Sequence, residues 1–176
     1  VYIFKWAALK QYLLADKKNP ASQNDFGKNI IPAMLENGRR MFSYAFDGYW
    51  KDVGTIQSYW EANMDLIGDP PTLQMDPQWR IYTRTPVQPP HYIADTANVT
   101  ASYVTEGCNL YGTVVHSVLS AKVQIQEGAR VTDSILMPGV RVGAGSRLCR
   151  AIVGTGTVIG PGCVIGCEEH DSGAIT

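Results

Sequence analysis

The chain has 176 residues, 45% hydrophobic and 18% charged, with a formal net charge of −1. That balance fits an ordered globular chain and excludes a disordered one. A near-neutral chain has no broad basic field for nucleic acid or anionic lipid, and no apolar run nears the roughly 20 residues of a membrane span, so neither partner is expected.

Val1-Tyr2-Ile3-Phe4 reads as a strand. It opens the sequence with no initiating Met, which suggests a piece of a longer protein. Leu9, Tyr12 and Leu13, following Ala7 and Ala8, recur at helical spacing. Lys17-Lys18-Asn19-Pro20 stops that helix. Ile30, Ile31, Met34 and Leu35 predict a second helix that closes at Asn37-Gly38. Met41–Phe46 is strand-like. Thr55, a favoured N-cap type, opens a third helix whose apolar stripe is Ile56, Tyr59, Trp60, Met64 and Ile67. Residues 1–67 therefore read as one α/β region.

Residues 68–90 carry six prolines, which cannot donate backbone hydrogen bonds and stall regular structure. Trp79, Ile81 and Tyr82 within them suggest an ordered connector packed on a neighbour.

Residues 91–176 repeat. His116-Ser117-Val118-Leu119, Asp133-Ser134-Ile135-Leu136 and Arg150-Ala151-Ile152-Val153 are 17 residues apart. Gly128-Ala129, Gly145-Ser146 and Gly162-Cys163 keep the same step. A finer step of six links Ile125 to Val131, Val142 to Leu148 and Ile159 to Ile165. A branched aliphatic at that interval, followed by small residues and glycine, makes a short strand and a tight turn. Three such strands close a triangular coil, and stacked coils bury their aliphatics along one axis. Aligning Gly107-Cys108 with Gly128-Ala129 implies an insertion of about four residues in one coil. Gly154-Thr155-Gly156 reads as a coil turn, because Ile159 stands where a dinucleotide-binding loop needs its third glycine.

The four cysteines, Cys108, Cys149, Cys163 and Cys167, lack zinc spacing and are expected as free thiols of a reducing cytosol. His116 aligns with Asp133 and Arg150, so it is expected to face outward. His170, in Cys167–Asp171, reads as a loop residue.

FDGYWKDVGT (46–55) packs two glycines, three aromatics and a Lys-Asp pair into ten residues. Such a loop aims a carboxylate, Asp52, at something, or else Asp52 is a turn carboxylate before the third helix.

The hexad repeats resemble the left-handed parallel β-helix of hexapeptide transferases. Gly48–Thr55 with the helix after it, DFGKNIIPAML (25–35), the opening VYIF and DPQWRIYTRT (76–85) resemble, in order, the glucose-1-phosphate adenylyltransferase family. The resemblance implies an α/β then all-β chain: residues 1–67 as the C-terminal part of a nucleotidyltransferase domain, 68–90 as connector and 91–176 as β-helix. It implies that the parent enzyme moves the adenylyl group of ATP to glucose 1-phosphate, giving ADP-glucose and pyrophosphate in glycogen biosynthesis. It further implies Mg²⁺, sugar-phosphate effectors and a cytoplasmic homotetramer. By the same resemblance Asp52 is the metal ligand. Asp25, Trp50 and Lys51 are substrate-binding residues, although Asp25 also suits a helix cap and Lys51 also suits solvent. The family's glycine-rich nucleotide loop and catalytic groups fall outside these residues, so no catalytic residue is expected here. The chain alone is expected to be inactive and to serve assembly or allosteric control. Two alternatives are a non-catalytic regulatory paralogue and a hexapeptide acyltransferase using His91, His116 or His170 as base.

Overall fold

A computed structural model describes residues 1–79, 81–83, 87–166 and 175. It forms two compact units, Val1–Asp47 and Gly48–Thr176.

In the first unit α1 runs from Trp6 to Asp16. Leu9, Tyr12 and Leu13 are its half-buried stripe, as their spacing predicts. The Lys17 N–H closes the last turn on Leu13 O at 3.0 Å, and the Ser22 hydroxyl donates to Asp16 at 2.6 Å. A π-helical turn, Phe26–Ile30, leads into α2, Ile31–Glu36. Ile30 and Met34 are buried, but Leu35 is exposed. Gly38 then takes a φ of +64°. Its N–H reaches Leu35 O at 2.9 Å and the Arg39 N–H reaches Met34 O at 3.0 Å, the paired closure that a left-handed glycine permits.

The two expected strands of this unit are not strands. Val1–Phe4 and Met41–Phe46 are irregular, because a strand exists only when a neighbouring strand takes up its N–H and C=O groups. Instead Tyr2, Phe4 and Phe26 form an aromatic cluster, with ring centroids 5.8 to 6.1 Å apart. Val1, Ile3, Phe42 and Tyr44 are exposed.

The second unit begins with the 46–55 loop's glycine and α3, Ile56–Met64. Thr55 caps α3 as expected. Its hydroxyl accepts the Ser58 N–H at 3.1 Å and Ser58 Oγ accepts the Thr55 N–H at 3.1 Å, a reciprocal box that satisfies two orphan donors. In the connector Trp79, Ile81 and Tyr82 are exposed, contrary to the packing expected of them.

From Tyr92 the chain winds a three-sided parallel solenoid. One face stacks Ile93, Leu110, Ile125, Val142 and Ile159. The second stacks Val99, Val114, Val131, Leu148 and Ile165. The third stacks Val104, Leu119, Leu136 and Val153. Apart from the exposed Ile93, these ladders form one core with Cys108, Val123 and Val140. Each fully buried aliphatic contributes about 1.5–3 kcal/mol. The 17-residue windows read from the sequence are this register. Ala129 and Ser146 sit buried where the corner narrows, and the preceding Gly128 and Gly145 each take a φ of +70°. Gly154–Gly156 is a coil turn, as expected.

The expected four-residue insertion is instead a deletion of two. Asn109 pairs with Gln124, a step of 15, whereas Tyr92↔Asn109, Gln124↔Arg141 and Arg141↔Val158 are steps of 17. Tyr111-Gly112 alone spans a corner that Gln126–Ala129 spans in the next coil. The carbonyl positions fix the alignment. Gly112 O accepts from Asn98 and Ala129 O from Thr113, so Gly112 corresponds to Ala129. A Cβ on Gly112 would lie 2.4 Å from Ala129 O and 2.8 Å from Gln126 O. Only glycine lets the shortened corner cut inside its neighbour.

A serine ladder fills the next corner. Ser117 and Ser134 are fully buried. Each hydroxyl donates to the carbonyl two residues back, Val115 at 2.8 Å and Thr132 at 2.7 Å. Each accepts a backbone N–H from the coil beyond, Ser134 at 3.0 Å and Ala151 at 3.1 Å. The buried polar atoms are thereby satisfied.

Candidate functional site

The loop opening the second unit is held by α3. Glu61 and Asp65 follow Gln57 at successive intervals of four, so all three share one helix face. Gln57 donates to Glu61 at 2.7 Å. The Lys51 ammonium bonds Asp65 Oδ2 at 2.7 Å and lies 3.5 Å from Glu61. The Tyr49 hydroxyl donates to the same Asp65 oxygen at 2.8 Å. The hydrogen bond from Lys51 holds the Asp65 carboxyl below its ordinary range, against the opposing cost of burial. The same bond raises Lys51. Tyr49 is raised by desolvation first and by its bond to Asp65 second. Glu61 is lowered by Gln57 first and Lys51 after it.

Lys51 is thus neither solvent-facing nor free. It is a half-buried strut. Asp52, the next residue, is exposed and is not the cap of α3, which Thr55 supplies. Its carboxylate turns back over Gly54, where an added Cβ would lie 3.5 Å from Oδ1. Neither Gly48 nor Gly54 has a left-handed φ. Trp50 is 70% exposed beside it. Trp50, Lys51 and Asp52 therefore share one loop. Asp25 belongs to the first unit, where its Oδ1 accepts the Lys28 N–H at 2.8 Å and caps the turn before α2. Among the described residues no group of three or more His, Cys, Asp or Glu side chains could hold a metal ion, and no helix is long and apolar enough to cross a membrane.

An adjacent face of α3 rests on a solenoid corner. Trp60 Nε1 donates to Asp133 O at 2.7 Å, and the Arg150 guanidinium lies 4.5 Å above the Trp60 ring. At that corner Ala101, His116, Asp133 and Arg150 hold φ values of +43° to +49°, a conformation that glycine adopts more cheaply. His116 does sit level with Asp133 and Arg150, but its ring is engaged, with Nδ1 2.7 Å from Asp133 Oδ1. Cys108, Cys149 and Cys163 are free thiols. Cys167 and His170 lie outside the described residues.

Sequence reading missed Asp65 and Glu61 as partners of the loop. The Gln57/Glu61/Asp65 spacing was the available signal. It also missed the Trp60 corner, which joins residues 73 apart and left no local trace.

The family described as "Nucleotidyl transferase" matches residues 1–68, and "GlmU-like, C-terminal hexapeptide" matches residues 90–174. The fold is therefore a nucleotidyltransferase segment joined to a hexapeptide β-solenoid. The chain is 52% identical over 97% of its length to the Desulforamulus reducens protein named glucose-1-phosphate adenylyltransferase, covering 43% of that protein. It is 48% identical over 99% of its length to the namesake from Bacillus cytotoxicus, covering 47%. With a Bacillus thuringiensis namesake it shares 49% identity over 97% of its length, covering 46%. The chain is therefore similar over nearly its whole length to proteins named glucose-1-phosphate adenylyltransferase, and it spans a little under half the length of these curated relatives.

Proposed function

We propose that this chain supplies the loop-bearing and solenoid portion of an enzyme that joins ATP and glucose 1-phosphate. The sugar phosphate oxygen bonds to the α-phosphorus of ATP, the α–β bridging bond breaks, and pyrophosphate leaves. The observation that carries this reading is the loop itself. Lys51 is withdrawn into a carboxylate clamp while Asp52 and Trp50 stay exposed at its tip, in a chain about half identical to proteins of that name.

Asp52 is the Mg²⁺ ligand in this reading. A carboxylate oxygen is a hard donor, and Mg²⁺ characteristically takes one or two carboxylates, phosphates and water rather than a closed protein cage. The exposed Asp52 carboxylate would supply one ligand to such a shared ion, which when bound would neutralise phosphate charge. Trp50 offers a flat wall to the nucleotide or sugar. Asp25 would meet the sugar, and Lys51 a phosphate, only by exchanging their present partners. The solenoid serves subunit assembly in a homotetramer and response to sugar-phosphate effectors, in cytoplasmic glycogen biosynthesis. The free thiols support a reducing compartment. The 176 residues alone are inactive.

The test joins this chain to the remaining part of the Desulforamulus reducens relative and follows pyrophosphate release from ATP and glucose 1-phosphate. Asp52→Asn is expected to lower kcat by about a hundredfold or more, the scale of losing a transition-state charge stabiliser. Full activity in that variant removes Asp52 from the metal site.

A further inference from the structure

Four coils each place a non-glycine residue in the left-handed region at the same corner, Ala101, His116, Asp133 and Arg150. The other two corners place glycine there in most coils: Gly107, Gly139 and Gly156 at one, Gly128, Gly145 and Gly162 at the other. Side chains kept at a strained backbone position where glycine would be cheaper mark a place where the side chain has a use. The corner shows that use. Arg150 covers the Trp60 ring at 4.5 Å, and Asp133 gives its carbonyl to the Trp60 indole N–H at 2.7 Å. His116 braces the Asp133 carboxylate at 2.7 Å.

Trp60 sits on α3 next to Glu61. From that residue the chain of contacts continues through Glu61 and Asp65 to Lys51 and Tyr49, which flank Trp50 and precede Asp52. One face of α3 is bolted to the solenoid and the adjacent face grips the loop. We infer that Trp60, seated by Arg150 and Asp133, is a positioning residue: the solenoid corner sets the place of the Asp52 loop through α3. The importance of that loop for catalysis rests on the reading above. The mechanical link does not.

Hydrogen exchange of the 176-residue chain tests the link without any activity. Arg150→Ala is expected to speed exchange of amides 49–66 by about tenfold, the loss of a cation over an indole, while solenoid amides such as those of Leu136 and Val142 keep their protection. Arg150→Lys keeps a cation at the ring and is expected to restore loop protection. Trp60→Phe, which loses the indole N–H, is expected to loosen the same segment. Lys51→Met combined with Arg150→Ala should cost less than the two separate changes added together, because both open one contact path. Unchanged exchange at 49–66 in both Arg150→Ala and Trp60→Phe overturns the proposal. Uniform loss of protection across the solenoid does so too, since it would make the corner a general stabiliser. If the Asp52→Asn assay fails while the loop loosens as described, only the catalytic reading falls.

Discussion

At Gly112 a single carbon atom decides whether two coils fit. A Cβ there would meet Ala129 O at 2.4 Å, whereas at Gly145, with a φ of +70°, nothing lies within 4 Å. Gly112→Ala is therefore expected to cost more than about 3 kcal/mol by overpacking against backbone. Gly145→Ala is expected to cost only the left-handed strain of about 1–2 kcal/mol. Thermal unfolding of the two variants checks the order. The Lys51–Asp65 pair makes a second prediction, with its sign set by the two shifts. Asp65 is lowered in the folded chain, so its contribution is present above the ordinary carboxylate range and is lost as pH falls through the lower folded value. Lys51 is raised, so its contribution is present below the ordinary ammonium value and is lost as pH rises through the higher one. Loop protection in hydrogen exchange is expected to be flat through neutral pH and to fall at both extremes, and Asp65→Asn should weaken it across the plateau.

Among the elements, the buried serines carry the sharpest expectation. Ser134→Ala leaves the Ala151 N–H without its acceptor inside the solenoid. The expected cost is about 1–3 kcal/mol, read as a lower denaturation midpoint. Thr55→Ala should cost about 1 kcal/mol through loss of the α3 cap. The elements also show what sequence could reveal. The solenoid was legible because its aliphatics must recur at the pitch of the coil, and the Thr55 cap because its chemistry is local. Leu35 and the Val1–Phe4 run were misjudged because an apolar pattern states what a segment could bury, not whether a partner is there to bury it. The coil length was misjudged because Gly107-Cys108 imitates Gly128-Ala129 in composition, while its left-handed glycine serves a different corner, the one shared with Lys122 and Gly139. The Asp52 loop was legible as a motif, but its anchors were not. A clamp formed with carboxylates on a separate helix is written in spacing on that helix, not in the loop.

Across the whole molecule the solenoid behaves as a one-dimensional stack in which each coil gains from its neighbours. Ile125 is fully buried between Leu110 and Val142, whereas Ile159 pairs only with Val142 among the described residues. Ile125→Ala is expected to cost about 2–5 kcal/mol and Ile159→Ala measurably less, by comparison of their unfolding midpoints. A stack of like rungs carries a hazard of its own, since winding one rung out of step would still match aliphatic to aliphatic on every side. The two-residue shortfall at Tyr111-Gly112 removes that freedom. Shifted by a rung, a full-sized bend would fall where the abbreviated one belongs, and a residue with a side chain would sit where no side chain fits. The missing pair of residues thus works as an index notch, giving an otherwise monotonous spiral a single correct way to be threaded.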